Sequence, residues 1–197
     1  MSRVAIPPWT ATGILPPIDA TRPASSERSP YFVSLSEVVL RFNTSPQRHA
    51  ILDGLLRYRS RLHAVGLTRG FQWLDGSFLE NIELLEDRAP NDLDVVTFFH
   101  LPAGATQLEI QARNPGLFPR TKDERLAFKN VYNMDAYLVD LATAADRLIE
   151  RSTYWYSMWS HRRDARWKGY LTIDLAFVED GTAAAYLSAA PPTGATP

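Results

Sequence analysis

The chain has 197 residues, 45% hydrophobic and 11% aromatic, enough for one domain with a sizeable core. A formal net charge of −1 and a pI near 6.4 argue against a dedicated nucleic-acid coating protein, while leaving room for a local basic patch. Without cysteine there are no disulfides or thiolate metal sites, and no apolar run reaches the ~18 residues of a membrane span, so a soluble, cytoplasmic protein is expected. The opening MSRVAIPPWTATGILPP also lacks the continuous apolar centre of a signal peptide.

Residues Met1 to Pro30 hold six of the fourteen prolines and predict an extended, irregular arm. Ile6, Trp9, Ile14, Leu15 and Ile18 are too apolar for a pure linker, so part of the arm should lie against the domain. Leu35, Val38, Val39 and Phe42 predict a short helix over Ser34–Arg41, capped by Ser34 or Ser36. Ser45 and Pro46 open a longer helix whose apolar stripe runs from Ile51 to Val65, and Gly66 ends it. Arg48, Arg57, Arg59 and Arg61 on its other face are expected to be solvated. A first strand is predicted over Gly70–Leu74, then a Gly76-Ser77 turn and a short helix over Phe78–Leu85. The second strand, Leu93–Leu101, reads as buried on both faces. Pro102–Gly116 is a polar connector, Thr121–Asn130 a helix, Val131–Leu141 a strand, Thr143–Trp159 a helix and Lys168–Val178 a final strand. Between the last two lies the basic segment His161–Trp167. The expected organisation is an arm (1–30), a domain (31–187) and a proline-rich tail (188–197). Its fold class is α/β (α+β), a small mixed β-sheet backed by helices.

The chemistry concentrates between Phe71 and Phe99. On a strand, Asp92 and Asp94 point the same way, about 7 Å apart, which suits them to a hard divalent cation such as Mg²⁺. Gly76 lets backbone amides approach a phosphate, and the Ser77 hydroxyl can bond to it. None of the four histidines has metal-ligand spacing, and grouped tryptophans such as Trp155 and Trp159 read as core packing before base stacking.

This order of Asp75-Gly76-Ser77, then Asp92-Leu93-Asp94 opening the next strand, resembles the signature of the DNA polymerase beta-like nucleotidyltransferase superfamily. The fourteen residues between Ser77 and Asp92 make the spacing slightly long for that signature. A Leu-Pro-Pro near the N-terminus and a Lys-Gly strand near the end resemble a small bacterial branch of it. The resemblance implies a nucleotidyltransferase-like fold and transfer of a nucleoside monophosphate from an NTP such as ATP, with Mg²⁺ or Mn²⁺. It also implies a third carboxylate on a strand beside Asp92 and Asp94. Asp135 and Asp174 are the two candidates, and Asp135 is preferred because the third strand pairs beside the second in that fold. Asp140 reads instead as a cap of the long helix. Metal and catalysis would fall to Asp92, Asp94 and Asp135, and the triphosphate to Gly76, Ser77 and Lys129, with Arg125 and Lys168 as further basic candidates.

The acceptor stays open among RNA (a tRNA end included), a protein hydroxyl and a small molecule. A toxin–antitoxin or phage-defence setting with a cognate partner protein is implied by resemblance alone. The alternative is a non-catalytic module of the same fold that binds a nucleotide or partner. A nuclease would need a lysine beside its carboxylates in an Asp-x(n)-Glu-x-Lys pattern, which is absent. Three carboxylates so close should repel, so Asp135→Asn is expected to abolish transfer without loss of stability. Asp174→Asn is expected to leave activity intact.

Overall fold

A computed structural model describes residues 2–189. Its elements in order are β1 (Tyr31–Phe32), α1 (Leu35–Phe42), α2 (Pro46–Ala64), β2 (Gly70–Asp75), α3 (Ile82–Glu86), β3 (Leu93–Phe99), α4 (Gln107–Arg113), α5 (Lys122–Tyr132), β4 (Met134–Asp140), α6 (Ala145–Trp159), β5 (Leu171–Asp174) and α7 (Asp180–Ala189). The five strands form one mixed sheet in the order β1-β5-β2-β3-β4. β2 runs antiparallel to both β3 and β5, whereas β3 pairs parallel with β4 and β1 with β5. The fold is therefore α+β, and none of its described helices is long and apolar enough to cross a membrane.

Local chemistry explains most boundaries. Ser34 caps α1 in a reciprocal box with Glu37, and Thr121 does the same for α5 with Glu124. Ser45 caps α2 with Pro46 in its first turn. Leu74, Val95, Thr97 and Gln72 face α2, and the buried rings of Tyr58 and Phe128 pack edge to face at 5.3 Å to join α2 to α5. The opposite face carries Trp73, Phe98 and Tyr137, covered by Trp155 and Trp159 of α6 together with Tyr170.

The arm folds on the domain. Ile14 and Leu15 are buried, Val4 N donates to Phe32 O, and Gly169 N donates to Leu15 O. Trp9 Nε1 donates to Leu79 O at 2.7 Å, and Asn81 N to Gly13 O at 2.8 Å, so the arm holds the segment after Ser77.

Several expectations are corrected. Arg48 and Arg59 are not solvated but fully buried. Arg59 pairs with Asp180 at 2.7 Å and also bonds Gln72 Oε1 and the Asp174 carbonyl, which fastens α7 to α2 and β5. The helix expected over Phe78–Leu85 is a 3₁₀ turn (Ser77–Leu79) followed by the five-residue α3, because Asn81 N is diverted to the arm. No α-helix N-terminus therefore stands directly on Gly76 and Ser77. The final strand is shorter than expected. Asp174 accepts from Ala176 N at 2.8 Å, and the chain turns into α7, whose Ala183 and Leu187 are buried. That helix reaches Ala189 and so takes in the first two residues of the expected tail; residues 190–197 lie outside the described residues. Asp140 ends β4 and bonds Ala142 N, so it caps a turn rather than α6.

Candidate active site

Strand register assembles the site. Asp75 on β2 pairs with Asp94 on β3, and Asp94 pairs with Asp135 on β4. Paired residues on neighbouring strands project to one face, so three aspartates stand in a row across three strands. Asp92 lies two residues before Asp94 and shares that face. Asp75, Gly76, Ser77, Asp92 and Asp94 line one cleft of about 740 Å³. Asp174 is elsewhere. It pairs with Phe71, at the other end of β2, roughly 13 Å from Asp75 along the strand.

The carboxylates differ sharply in their partners. Asp94 makes no hydrogen bond or ion pair among the described residues. Burial, with Asp75, Asp92 and Asp135 nearby, raises its pKa to about 7. Burial likewise pushes Asp75 up to about 6, opposed by Lys168. Lys168 Nζ is 2.8 Å from Asp75 Oδ1, an ion contact whose angle leaves that oxygen without a true hydrogen bond. It is also 3.3 Å from Glu80 Oε1. Burial disfavours the Lys168 charge, but these two acids outweigh it and hold the ammonium above its usual value.

Lys129 is where the sequence-based expectation needs correction. Its ammonium lies between two carboxylates, bonded to Asp92 and 3.1 Å from Asp135 Oδ2, rather than beside Gly76 and Ser77. Burial raises the Asp92 pKa despite that bond, with Asp135 adding repulsion. Lysine here takes the position of a cation between acids. The basic groups that wall the cleft are Arg88, Arg162, Arg163 and Lys168. Of these, only Lys168 was a sequence candidate. Arg162 comes from the basic segment, which closes as a hairpin through the bridge His161↔Trp167, and it lies 3.4 Å from Glu80. Arg125 stacks on Tyr137 at 4.9 Å, outside this cleft. Asp75 and Glu80 were given no role from sequence. Asp75 was detectable as the acid directly preceding Gly-Ser, whereas Glu80 carried no local signal.

Among the described residues, no group of three or more His, Asp or Glu side chains is already disposed to close on one metal ion. Mg²⁺ seldom needs that many; one or two carboxylates, completed by substrate phosphate and water, suffice. Asp94 with Asp92 fits that pattern, because Asp94 is a deep carboxylate lacking a counter-charge of its own. Gly76 holds φ +92 and ψ −177, a region essentially restricted to glycine, and a Cβ there would stand 2.7 Å from Asp94 Oδ2. Gly76→Ala should therefore lower stability by about 1–3 kcal/mol in urea melts and displace Asp94, weakening Mn²⁺ binding by calorimetry. Full parent stability would show that the turn relaxes without strain.

A protein-family model, the family of unknown function DUF6932, matches residues 7–174, and the chain belongs to that family. The match takes in the arm from Pro7, the Gly-Ser turn, all four aspartates of the site and Lys168; α7 falls outside it. No curated protein and no solved structure matches the chain.

Proposed function

We propose that this protein is a metal-dependent nucleotidyltransferase that moves a nucleoside monophosphate from an NTP to an acceptor hydroxyl. The observation that carries the reading is Asp94, an unpartnered carboxylate in register with Asp75 and Asp135 and directly over Gly76. The superfamily resemblance calls for a third-carboxylate strand beside the Asp92–Asp94 strand, and the pairing of β4 with β3, Asp135 opposite Asp94, supports the reading.

Asp92 and Asp94 would hold Mg²⁺ or Mn²⁺, which supplies neutralisation of charge on the phosphates. The Gly76 amide and Ser77 hydroxyl receive phosphate oxygens, with Arg162 and Arg163 on the cleft wall as counter-charges. Asp135 takes the proton of the acceptor hydroxyl as its oxygen bonds the α-phosphorus. The bond from the α-phosphorus to its bridging oxygen breaks, and pyrophosphate leaves.

Incubation with each α-phosphate-labelled NTP, Mg²⁺ or Mn²⁺, and total cellular RNA and protein tests this directly. Label should pass to a macromolecule, survive in Asp174→Asn and vanish in Asp135→Asn. Absence of transfer to any acceptor class, small molecules included, would overturn it.

One observation favours a second reading, a non-catalytic module: Lys129 already ties Asp92 to Asp135. Lys129→Met separates the two. If a divalent cation competes with the ammonium, the variant should bind Mn²⁺ about tenfold more tightly, roughly the worth of one close charge. If the lysine is only a structural tie, the variant melts lower and Mn²⁺ binding stays undetectable in both proteins.

A further inference from the structure

A second groove of about 310 Å³ adjoins the cleft, and Tyr137 and Trp155 wall both. It runs along the free edge of β4, the last strand of the sheet. Tyr137 follows Asp135 by two residues, so the carboxylate and the ring share a face of that strand. The Tyr137 and Trp155 ring centroids are 4.5 Å apart, and Tyr154, 54% exposed, continues the aromatic surface 5.1 Å from Trp155.

The charge of this groove is one-sided. Arg120, Arg125 and Arg151 line it, and no Asp or Glu does among the described residues. Arg120 bonds Gln111 and lies beside Glu124, which accepts from its backbone N–H, whereas Arg125 lies over Tyr137, and neither Arg125 nor Arg151 has an acidic partner among the described residues. Elsewhere the exposed arginines commonly stand beside acids, as Arg147 does with Glu150 on the same helix as Arg151. In a chain of net charge −1, a groove lined by arginines and aromatic rings and by no acid among the described residues has a polyanion with flat apolar groups as its complement. Base–aromatic stacking with arginine on phosphate is how single strands are held.

We propose that this groove binds single-stranded nucleic acid, with bases on Tyr154 and Trp155 and phosphates on Arg125 and Arg151. That the strand then offers its terminal hydroxyl to Asp135 rests on the nucleotidyltransferase reading; the binding does not. A peptide added to the β4 edge is the rival occupant. It would bond the strand's backbone and depend little on arginine.

The test is fluorescence anisotropy of the full chain with a labelled single-stranded RNA of about ten nucleotides, without NTP or metal, at several salt concentrations. Single-stranded DNA of the same sequence and an oligo-glutamate peptide form parallel arms. RNA should bind with steep salt dependence. Arg125→Ala and Arg151→Ala should each lower the slope of log affinity against log salt by about 0.7. Tyr154→Ala should weaken binding about tenfold. Arg151→Glu, on an exposed and unpaired position, supplies a strong variant that does not threaten folding, and Arg57→Ala is the distant control. Preference for RNA over DNA assigns the strand as RNA, and the reverse assigns it as DNA; either supports the groove. Failure of both strands to bind at low salt, unchanged affinity in Arg151→Glu, or binding of the peptide alone overturns it. Arginine-dependent binding with no nucleotide transfer would sink the enzymatic reading and leave the groove standing.

Discussion

Asp94→Asn should make the metal-free protein more stable at pH 8, by roughly 2–4 kcal/mol, while abolishing Mn²⁺ binding and nucleotide transfer. Burial and the surrounding acids raise the folded pKa of Asp94 to about 7. An unfolded Asp titrates near 3.9, so between about pH 4 and 7 the folded state holds a proton that the unfolded state has released. The stabilisation linked to that proton is complete below about pH 4 and is lost as pH rises through about 7. Asparagine removes this titration, so the variant should show a weaker pH dependence there, with what remains coming from Asp75 and Asp92, whose raised pKa values act with the same sign. Thermal melts at pH 5 and pH 8 in chelator would decide the matter. A variant less stable than the parent at pH 8 would mean that Asp94 makes a favourable contact, and the cation site would lose its main support. The neighbours should behave differently. Asp135→Asn or Asp92→Asn removes a partner of Lys129, so the gain in stability expected from repulsion alone belongs to Asp94 and not to Asp135.

The second large effect lies outside the cleft. Arg48→Met should cost about 3 kcal/mol and lower the melting temperature by roughly 6–12 °C. The Arg48 guanidinium is fully buried, donating to Phe78 O at 2.6 Å and Glu80 O at 2.7 Å and pairing with Glu83. Trp9 takes the intervening carbonyl, Leu79 O. Three successive carbonyls of the segment after Ser77 are thus satisfied by side chains, which buried non-repetitive backbone requires. Methionine keeps the apolar stem and takes the Arg48 bonds from Phe78 O and Glu80 O. Because Glu80 holds Lys168 against Asp75, the loss should also loosen the cleft, visible as faster hydrogen exchange at Leu79 and Glu80 and as weaker nucleotide binding. The comparison is Arg57→Met on the same helix. There an exposed pair with Asp53 is worth only about 0.3–0.5 kcal/mol. Equal melting of the two variants would refute this account.

Local chemistry made much of this protein legible from its residues. Ser34 and Ser45 announced helix starts because capping is settled within four residues. Alternating and doubly apolar runs marked β2, β3 and β4, and the two-residue period alone put Asp92 and Asp94 on one face. Preference for Asp135 over Asp174 needed the strand order, which came from resemblance; the structure pairs β4 beside β3 with Asp135 opposite Asp94, and the role of Asp135 is part of the proposal. What only the tertiary structure decided are the partners of long charged side chains. Arg48 and Arg59 resemble Arg57 and Arg61 in sequence. Their burial depends on carbonyls and acids some 30 and 120 positions away, which no helical period encodes. Lys129 likewise looked like a phosphate ligand until folding set two carboxylates against it. α7 was missed because DGTAAAYLSA has little amphipathic pattern, and its place is set by Arg59 reaching Asp180. Short-range hydrogen bonding and periodicity can be read along a chain; the pairing of buried charges is a property of distance in space, and distance exists only once the chain has folded.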